Sequence, residues 1–151
     1  MVNKITKMKI KNLVIVFLIE LTISSCSNDK TSLKKFADDV VNNSFPIEQV
    51  IGNHIICDEN SKFMTSLQLK YFRVEFEKRP SNIVVYSFKE AQKQNKEIEG
   101  IIANDYNKVF FIYFNDTLKM SLLLNENSKI IAISTLNKGG KRFFMRTDRN
   151  K

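Results

Sequence analysis

The side chains best suited to chemistry lie in one short stretch, His54-Ile55-Ile56-Cys57-Asp58-Glu59. His54 is the one histidine of the chain, so a serine-histidine-aspartate triad would have to use it. A zinc site needs three or four ligands and usually a second histidine or a cysteine pair, and neither is present here. We therefore predict a partly buried structural histidine, with no metal site.

Two pairs of adjacent carboxylates, Asp38-Asp39 and Asp58-Glu59, are the other candidates for acid-base work. Neighbours in sequence point apart on a helix, so neither pair should share a proton, and we expect both pairs to be solvated. The sequence contains no G-x-S-x-G, no P-loop and no G-x-G-x-x-G. We predict no catalytic residue and no cofactor.

Cys26 has the clearest chemical role, because of what precedes it. Four lysines within the first eleven residues are followed by an apolar run over residues 13–19 and by Ser24-Ser25 directly before the cysteine. This order resembles the lipobox signal peptide of bacterial lipoproteins. The apolar run is shorter than the roughly 20 residues that cross a bilayer, and Glu20 interrupts it.

The resemblance implies that residues 1–25 are a signal peptide and that residues 26–31 form a lipid-linked tether. The Cys26 sulfur would receive a diacylglyceryl group, and fatty acyl chains of the palmitate type would anchor the protein in the membrane of the cell envelope. Ser27, which is not an aspartate, is compatible with the outer membrane of a Gram-negative cell. The alternative is an uncleaved N-terminal helix, either amphipathic or buried.

Charge and cysteine content restrict the rest of the chain. Without the leader, 126 residues remain, enough for one domain. The segment 138–151 holds six basic residues and one acidic residue, a net charge of +5. Residues 26–151 together also carry +5, so the rest of the domain is neutral. The basic charge therefore does not indicate a nucleic-acid-binding face. This basic segment either contacts acidic lipids or an acidic partner, or it is a last strand whose charges protect a sheet edge.

Cys57 would be the one remaining thiol if Cys26 is acylated, which leaves no intrachain disulfide. Its neighbours Ile55 and Ile56 indicate that it is a small buried apolar residue.

Apolar spacing predicts helices early in the chain. A stripe at i, i+3, i+4, i+7 and i+8 predicts a helix over 32–43, and residues 46–57 suggest a short helix followed by an extended piece. Residues 61–78 alternate like a strand, but they also place Phe63, Met64, Leu67, Tyr71 and Val74 on one helical face. Acidic residues before the segment and basic residues with Pro80 after it favour the helix.

Beyond Pro80, short apolar segments separated by Asn, Asp and Gly predict strands and turns. We expect strands over 83–86, 97–103, 108–114, 117–124, 129–136 and 141–145, with 89–96 as a loop or short helix. Residues 109–114 are apolar at every position, so their strand should be buried on both faces.

The resulting fold class is α+β: one or two N-terminal helices packed on a curved antiparallel sheet of about five or six strands in a meander. The single domain would span 32–146, and a basic tail 147–151 would follow. This element order loosely resembles the curved sheets of the nuclear-transport-factor-2-like and cystatin-like folds.

The sequence says less about the function of the protein than about its fold. We expect a lipid-anchored binding or accessory module, for example of an immunity or inhibitor type, without enzymatic activity. Its expected partners are the membrane, through acylated Cys26, and a protein partner or a second copy that covers an apolar sheet face. The alternatives are a small envelope hydrolase that uses an unrecognised carboxylate and a structural envelope protein.

Overall fold

The first part of the described chain, residues 28–77, is mostly helical. The computed structural model describes residues 28–77, 82–96 and 98–148. Helix α1 comprises residues 28–41, followed by α2 (Ile47–His54) and α3 (Glu59–Glu77). The predicted helices over 32–43 and 61–78 are confirmed, as is the short helix before an extended segment at Ile55. Helix α1 also includes residues 28–31, which the sequence assigned to the tether.

Helices α1 and α2 bury the stripes that their spacing predicts. Leu33, Phe36, Ala37 and Val40 of α1 are all at most 1% exposed. Pro46 precedes the first residue of α2, where a fixed φ and a missing N–H cost nothing. Ile47, Val50 and Ile51 then turn inward and join the same core.

Helix α3 does not pack on the core through the apolar stripe that predicted the helix, but through its opposite side. Its buried residues are Thr65, Leu69 and Phe76, with Phe72 half-buried beside them. The stripe singled out by its spacing faces outward and is exposed: Phe63, Met64, Leu67, Tyr71 and Val74. The helix is therefore apolar on two opposite sides.

The second part of the chain forms a curled six-stranded sheet and one further helix. The strands are β1 (Ile83–Ser87), β2 (Ile101–Ile102), β3 (Val109–Phe114), β4 (Thr117–Leu124), β5 (Ile130–Lys138) and β6 (Lys141–Arg146), and helix α4 is Phe88–Lys93. Their spatial order is β1-β3-β4-β5-β6-β2. The α+β class and the strand-rich second half are confirmed.

Two hairpins depend on left-handed backbone. Asn115 and Asp116 have φ of 47° and 61° between β3 and β4, and Gly139 and Gly140 have φ of 60° and 76° between β5 and β6. Two successive positive φ values give the turn whose twist matches that of paired strands. The predicted turns at both places are confirmed, and they make β3 to β6 an antiparallel meander.

The meander does not extend to β2. This strand is only two residues long, against the predicted 97–103, and it pairs in parallel with β6 at the far edge of the sheet. Gly100 makes the approach possible, because a Cβ there would lie 2.5 Å from the Gly140 carbonyl oxygen. The Gly100 carbonyl oxygen accepts a hydrogen bond from Arg142 N at 2.7 Å.

The sheet carries an apolar cluster on each face, and β3 contributes to both. Phe110, Ile112 and Phe114 belong to the core shared with α1, α2 and α3. Val109, Phe111 and Tyr113 belong to a second cluster with Ala91 of α4 and Ile101 of β2. All six residues of β3 are at most 5% exposed, so the expected two-sided burial of this strand is confirmed.

Arg73 of α3 closes the end of α1. Its Nε donates to the Val40 carbonyl oxygen and its Nη2 to the Phe45 carbonyl oxygen, both at 2.7 Å. The last carbonyls of a helix have no intrahelical partner, so a guanidinium at this place satisfies groups that would otherwise be buried unpaired. One side chain thus connects α3, the end of α1 and the loop that follows α1.

We expect Arg73→Met to lower the free energy of unfolding by about 3 kcal/mol, because two hydrogen bonds from a charged donor to half-buried carbonyls are lost. Urea unfolding followed by circular dichroism measures the change. Lys34→Met on the exposed side of α1 removes the same charge and is the matched control, with an expected change within about 0.5 kcal/mol. Equal effects of the two substitutions would contradict this role of Arg73.

Candidate functional site

A large hollow lies on the sheet face that carries the second apolar cluster. Its volume is about 730 Å³, and it opens where β2 ends beside β6. Leu123, Ile131 and Phe144 form an apolar floor. Leu123 and Phe144 also pack on the second cluster, so the floor is a continuation of that core.

The walls of the hollow are held by local hydrogen bonds. On one side the Asp105 carboxylate accepts from Asn107 N at 2.9 Å and begins the 3₁₀ turn Tyr106–Lys108. On the other side the Asn125 side-chain oxygen accepts from Asn127 N and Lys129 N in the β4–β5 turn. Such turns fix the backbone without a long-range contact, so both walls are pre-formed.

Charges of both signs surround the apolar floor. Lys108 and Arg146 are the cations, and Asp105 and Glu126 are the carboxylates. Arg146 also holds Asp148 in a two-pronged pair, with Nε to Oδ1 at 2.8 Å and Nη2 to Oδ2 at 2.7 Å. The hydrogen bonds from Arg146 hold the pKa of Asp148 below its ordinary value. Arg146 is thereby kept in place at the rim of the hollow.

Beyond Ile102 the hollow borders the part of β6 that has no pairing with β2. The parallel register joins Ile101 to Arg142 and Ile102 to Phe143, and there β2 ends. Strand β6 continues through Phe144 to Arg146. Among the described residues no further strand takes the place of β2 along this edge.

His54 lies away from the hollow, in a buried polar cluster with α1. Its Nε2 is 2.7 Å from Asp39 Oδ2, and the same oxygen accepts from Lys35 Nζ at 2.8 Å. Both the His54 and Asp39 side chains are only 9% exposed. The expected partly buried structural histidine is found, but the expectation that Asp39 would be solvated is wrong, because the histidine and the lysine together stabilise its charge.

The environment of Asp39 acts on its pKa in two directions. Burial raises the pKa, because it disfavours the charged form. The hydrogen bonds from Lys35 and His54 outweigh burial and hold the pKa of Asp39 below its ordinary value of 3.8. The neighbouring Asp38 is exposed, so the two carboxylates point apart as expected.

The other chemically capable residues of the 54–59 stretch do not join this cluster. Burial raises the pKa of the Cys57 thiol, whose Sγ lies 3.6 Å from Thr65 Oγ1 against the helical core. The Asp58 carboxylate accepts from Ser61 N at 2.7 Å near the start of α3, and Glu59 is exposed. No three His, Cys, Asp or Glu side chains in the described part of the chain are grouped to hold a metal ion.

The C-terminal segment is packed at its start. Thr147 is 5% exposed, and its hydroxyl lies within hydrogen-bonding distance of the carbonyl oxygens of Ile56 and Ile131. The sequence placed Thr147 in a basic tail, whereas the side chain joins the extended piece after α2 to β5. Residues 149–151 of that tail lie outside the described residues, as do Cys26 and the whole predicted leader.

Sequence reasoning missed one local signal that shapes this part of the molecule. Ser87 and Glu90 form a capping box at the start of α4, in which Ser87 Oγ accepts from Glu90 N and Glu90 Oε2 accepts from Ser87 N. The S-x-x-E pattern of residues 87–90 is a helix-start signal, and it favours the helix over the loop for this segment. Helix α4 covers the second cluster through Ala91.

Comparisons with known proteins give no relative for this chain. No family model, no curated protein and no solved structure matches it. Within the described residues, no helix is both long enough and apolar enough to cross a membrane.

We expect Asp39→Asn to lower the free energy of unfolding by about 2 kcal/mol at pH 7, because it weakens hydrogen bonds to a charged, buried acceptor. The pKa of Asp39 is lower in the folded chain than in the unfolded chain, so this stability is present above pH 3.8 and is lost as the pH falls through the folded value.

Urea unfolding of both proteins between pH 2 and pH 7 checks this prediction, since their difference should shrink at the acid end. Asp38→Asn, at the exposed neighbour, is the matched control and should show little difference at any pH. A pH-independent difference for Asp39→Asn would show that the charge of Asp39 contributes nothing.

Proposed function

We propose that this protein is a lipid-anchored binding module of the cell envelope, held at the membrane by acylated Cys26, and that its hollow takes an extended segment of a protein partner. The observation that carries the binding part is the outer edge of β6 at residues 144–146, which no described strand pairs, beside an apolar floor. The anchor is supported by the resemblance of the leader to a lipobox.

An extended segment fits this place for reasons of hydrogen bonding. A chain that continues the line of β2 would meet the edge of β6 at residues 144–146, and edge strands bind extended peptides through main-chain hydrogen bonds. Every second side chain of such a segment would point to the floor formed by Leu123, Ile131 and Phe144.

The charged residues at the rim of the hollow determine which residues of the partner can lie beside the apolar side chain that it places on the floor. A carboxylate at one end of the bound segment would meet Arg146 or Lys108, and a basic side chain would meet Asp105 or Glu126. A rim of both signs provides orientation and specificity more than affinity. The apolar floor provides the affinity, since removal of apolar surface from water contributes about 25 cal/mol per Å².

The anchor is tested by metabolic labelling with a tagged fatty acid. We expect the label in the full chain and its absence in Cys26→Ala, together with release of that variant from the membrane fraction. Cys57→Ala is the matched control, because it removes the other cysteine and should keep both label and membrane attachment. Label that persists in Cys26→Ala would contradict acylation at this residue.

The hollow is tested in the native envelope with a photo-crosslinking side chain placed at Phe143, which is 41% exposed and borders the hollow. The crosslinked segment of the partner is then synthesised as a peptide. We expect Phe144→Ala to raise the dissociation constant of that peptide roughly tenfold, because a side chain of the apolar floor is lost. Gln49→Ala on α2 is exposed, lies outside the hollow, and should have no effect.

Two results would contradict binding in the hollow. One is a peptide that binds Phe144→Ala as tightly as the parent chain. The other is a peptide that binds without protecting the outward-facing amides of Phe144 and Arg146 from hydrogen exchange.

A further inference from the structure

Helix α3 exposes a continuous apolar stripe that the described residues leave uncovered. The exposed fractions are high for large side chains: Phe63 69%, Tyr71 64%, Met64 55%, Val74 51% and Leu67 44%. The opposite side of the same helix is buried in the core. Contiguous exposed apolar surface usually marks an interaction site, so this stripe calls for a second surface.

The spacing of the stripe is that of a coiled coil. Met64, Leu67, Tyr71 and Val74 follow one another at steps of three, four and three residues, which are the a and d positions of a heptad. Lys70 then occupies a g position and Glu75 the e position five residues later. In a parallel pair of helices, g of one helix faces this e of the other.

We propose that two copies of this chain associate through α3 as a short, parallel, two-stranded coiled coil. Lys70 of each copy faces Glu75 of the other, so the symmetry axis produces two equivalent ion pairs at the edges of the stripe. An antiparallel pair would place g beside g and e beside e, which sets lysine against lysine and carboxylate against carboxylate. The charge pattern therefore selects the parallel arrangement.

The stripe is large enough for this purpose. With about 150 to 250 Å² for each aromatic side chain and less for the aliphatic ones, its exposed area is roughly 500 Å² per copy. Two copies would bury about 1,000 Å², which reaches the lower limit for a specific interface. A two-fold axis along the helices also closes the assembly at two copies, so it does not grow into a filament.

Among the described residues of one copy, the competing partner of Lys70 is a weak one. Its Nζ is 3.7 Å from Glu48 Oε1, and both side chains are more than half exposed. Exposed ion pairs of this kind contribute little to stability, so Lys70 can turn to Glu75 of a second copy at small cost. The other candidate for covering the stripe is a lipid surface, but there the repulsion of acidic headgroups by Glu75 would offset their attraction to Lys70, whereas a second copy satisfies both charges.

Cysteine crosslinking tests the parallel register in the full chain, in a background with Cys26→Ser and Cys57→Ser. In a parallel pair each a or d residue meets its own counterpart, so Leu67→Cys should form a disulfide-linked dimer under mild oxidation. Asn127→Cys, in the exposed β4–β5 turn, is the control and should remain monomeric. Equal crosslinking at both positions would overturn the proposal.

Charge reversal tests the pair between Lys70 and Glu75. By analytical ultracentrifugation of the full chain, Lys70→Glu and Glu75→Lys should each raise the dimer dissociation constant roughly tenfold or more, since like charges then face each other. The double variant should return it to near the parent value. Glu48→Gln controls for the internal contact of Lys70 and should leave dimerisation unchanged. Circular dichroism verifies that each variant folds.

The same experiment identifies the alternatives. A parent chain that stays monomeric up to about 100 µM overturns the proposal, as does a double variant that fails to recover. Suppose instead that the monomer binds vesicles of phosphatidylethanolamine and phosphatidylglycerol, and that Leu67→Glu abolishes this binding. The stripe would then belong to a lipid surface, and the dimer would be excluded.

Discussion

The burial of β3 on both faces is the constraint on which the rest of this structure depends. Val109–Phe114 has six successive apolar side chains, and strand geometry sends alternate ones to opposite faces. A single layer of helices can cover only one set. The chain therefore needs two coverings: α1 to α3 on one face, and α4 with the segment around Ile101 on the other.

The second covering is the smaller one, and its limits create the hollow. Helix α4 is six residues long and β2 only two, so among the described residues they cover part of this face and leave open the hollow over Leu123, Ile131 and Phe144. The floor of this hollow is made of the same kinds of apolar residue as the cluster beside it. The candidate binding site is thus the uncovered remainder of a core, which explains why its floor is apolar and its rim charged.

The polar interactions of the helical half serve to join elements. Arg73 closes the end of α1, Asp39 holds His54 of α2 to α1, and Thr147 lies at hydrogen-bonding distance from both Ile56 and β5. Each brings together groups far apart in sequence at places where an unpaired group would be costly. The one histidine of the chain is engaged in this way, which leaves the binding proposal to depend on shape, edge hydrogen bonds and charge.

Periodicity and turn chemistry in the sequence determined the class of fold, the three early helices, and the hairpins at Asn115-Asp116 and Gly139-Gly140, because these features depend on neighbours along the chain. Sequence also identified the stripe on α3, but not which side of that helix would be buried, since both sides are apolar. Only the tertiary structure decided that the stripe faces outward, that Asp39 and His54 meet, that β2 crosses to the far edge, and that a hollow opens beside β6. These depend on contacts between residues distant in sequence, and no local pattern specifies them.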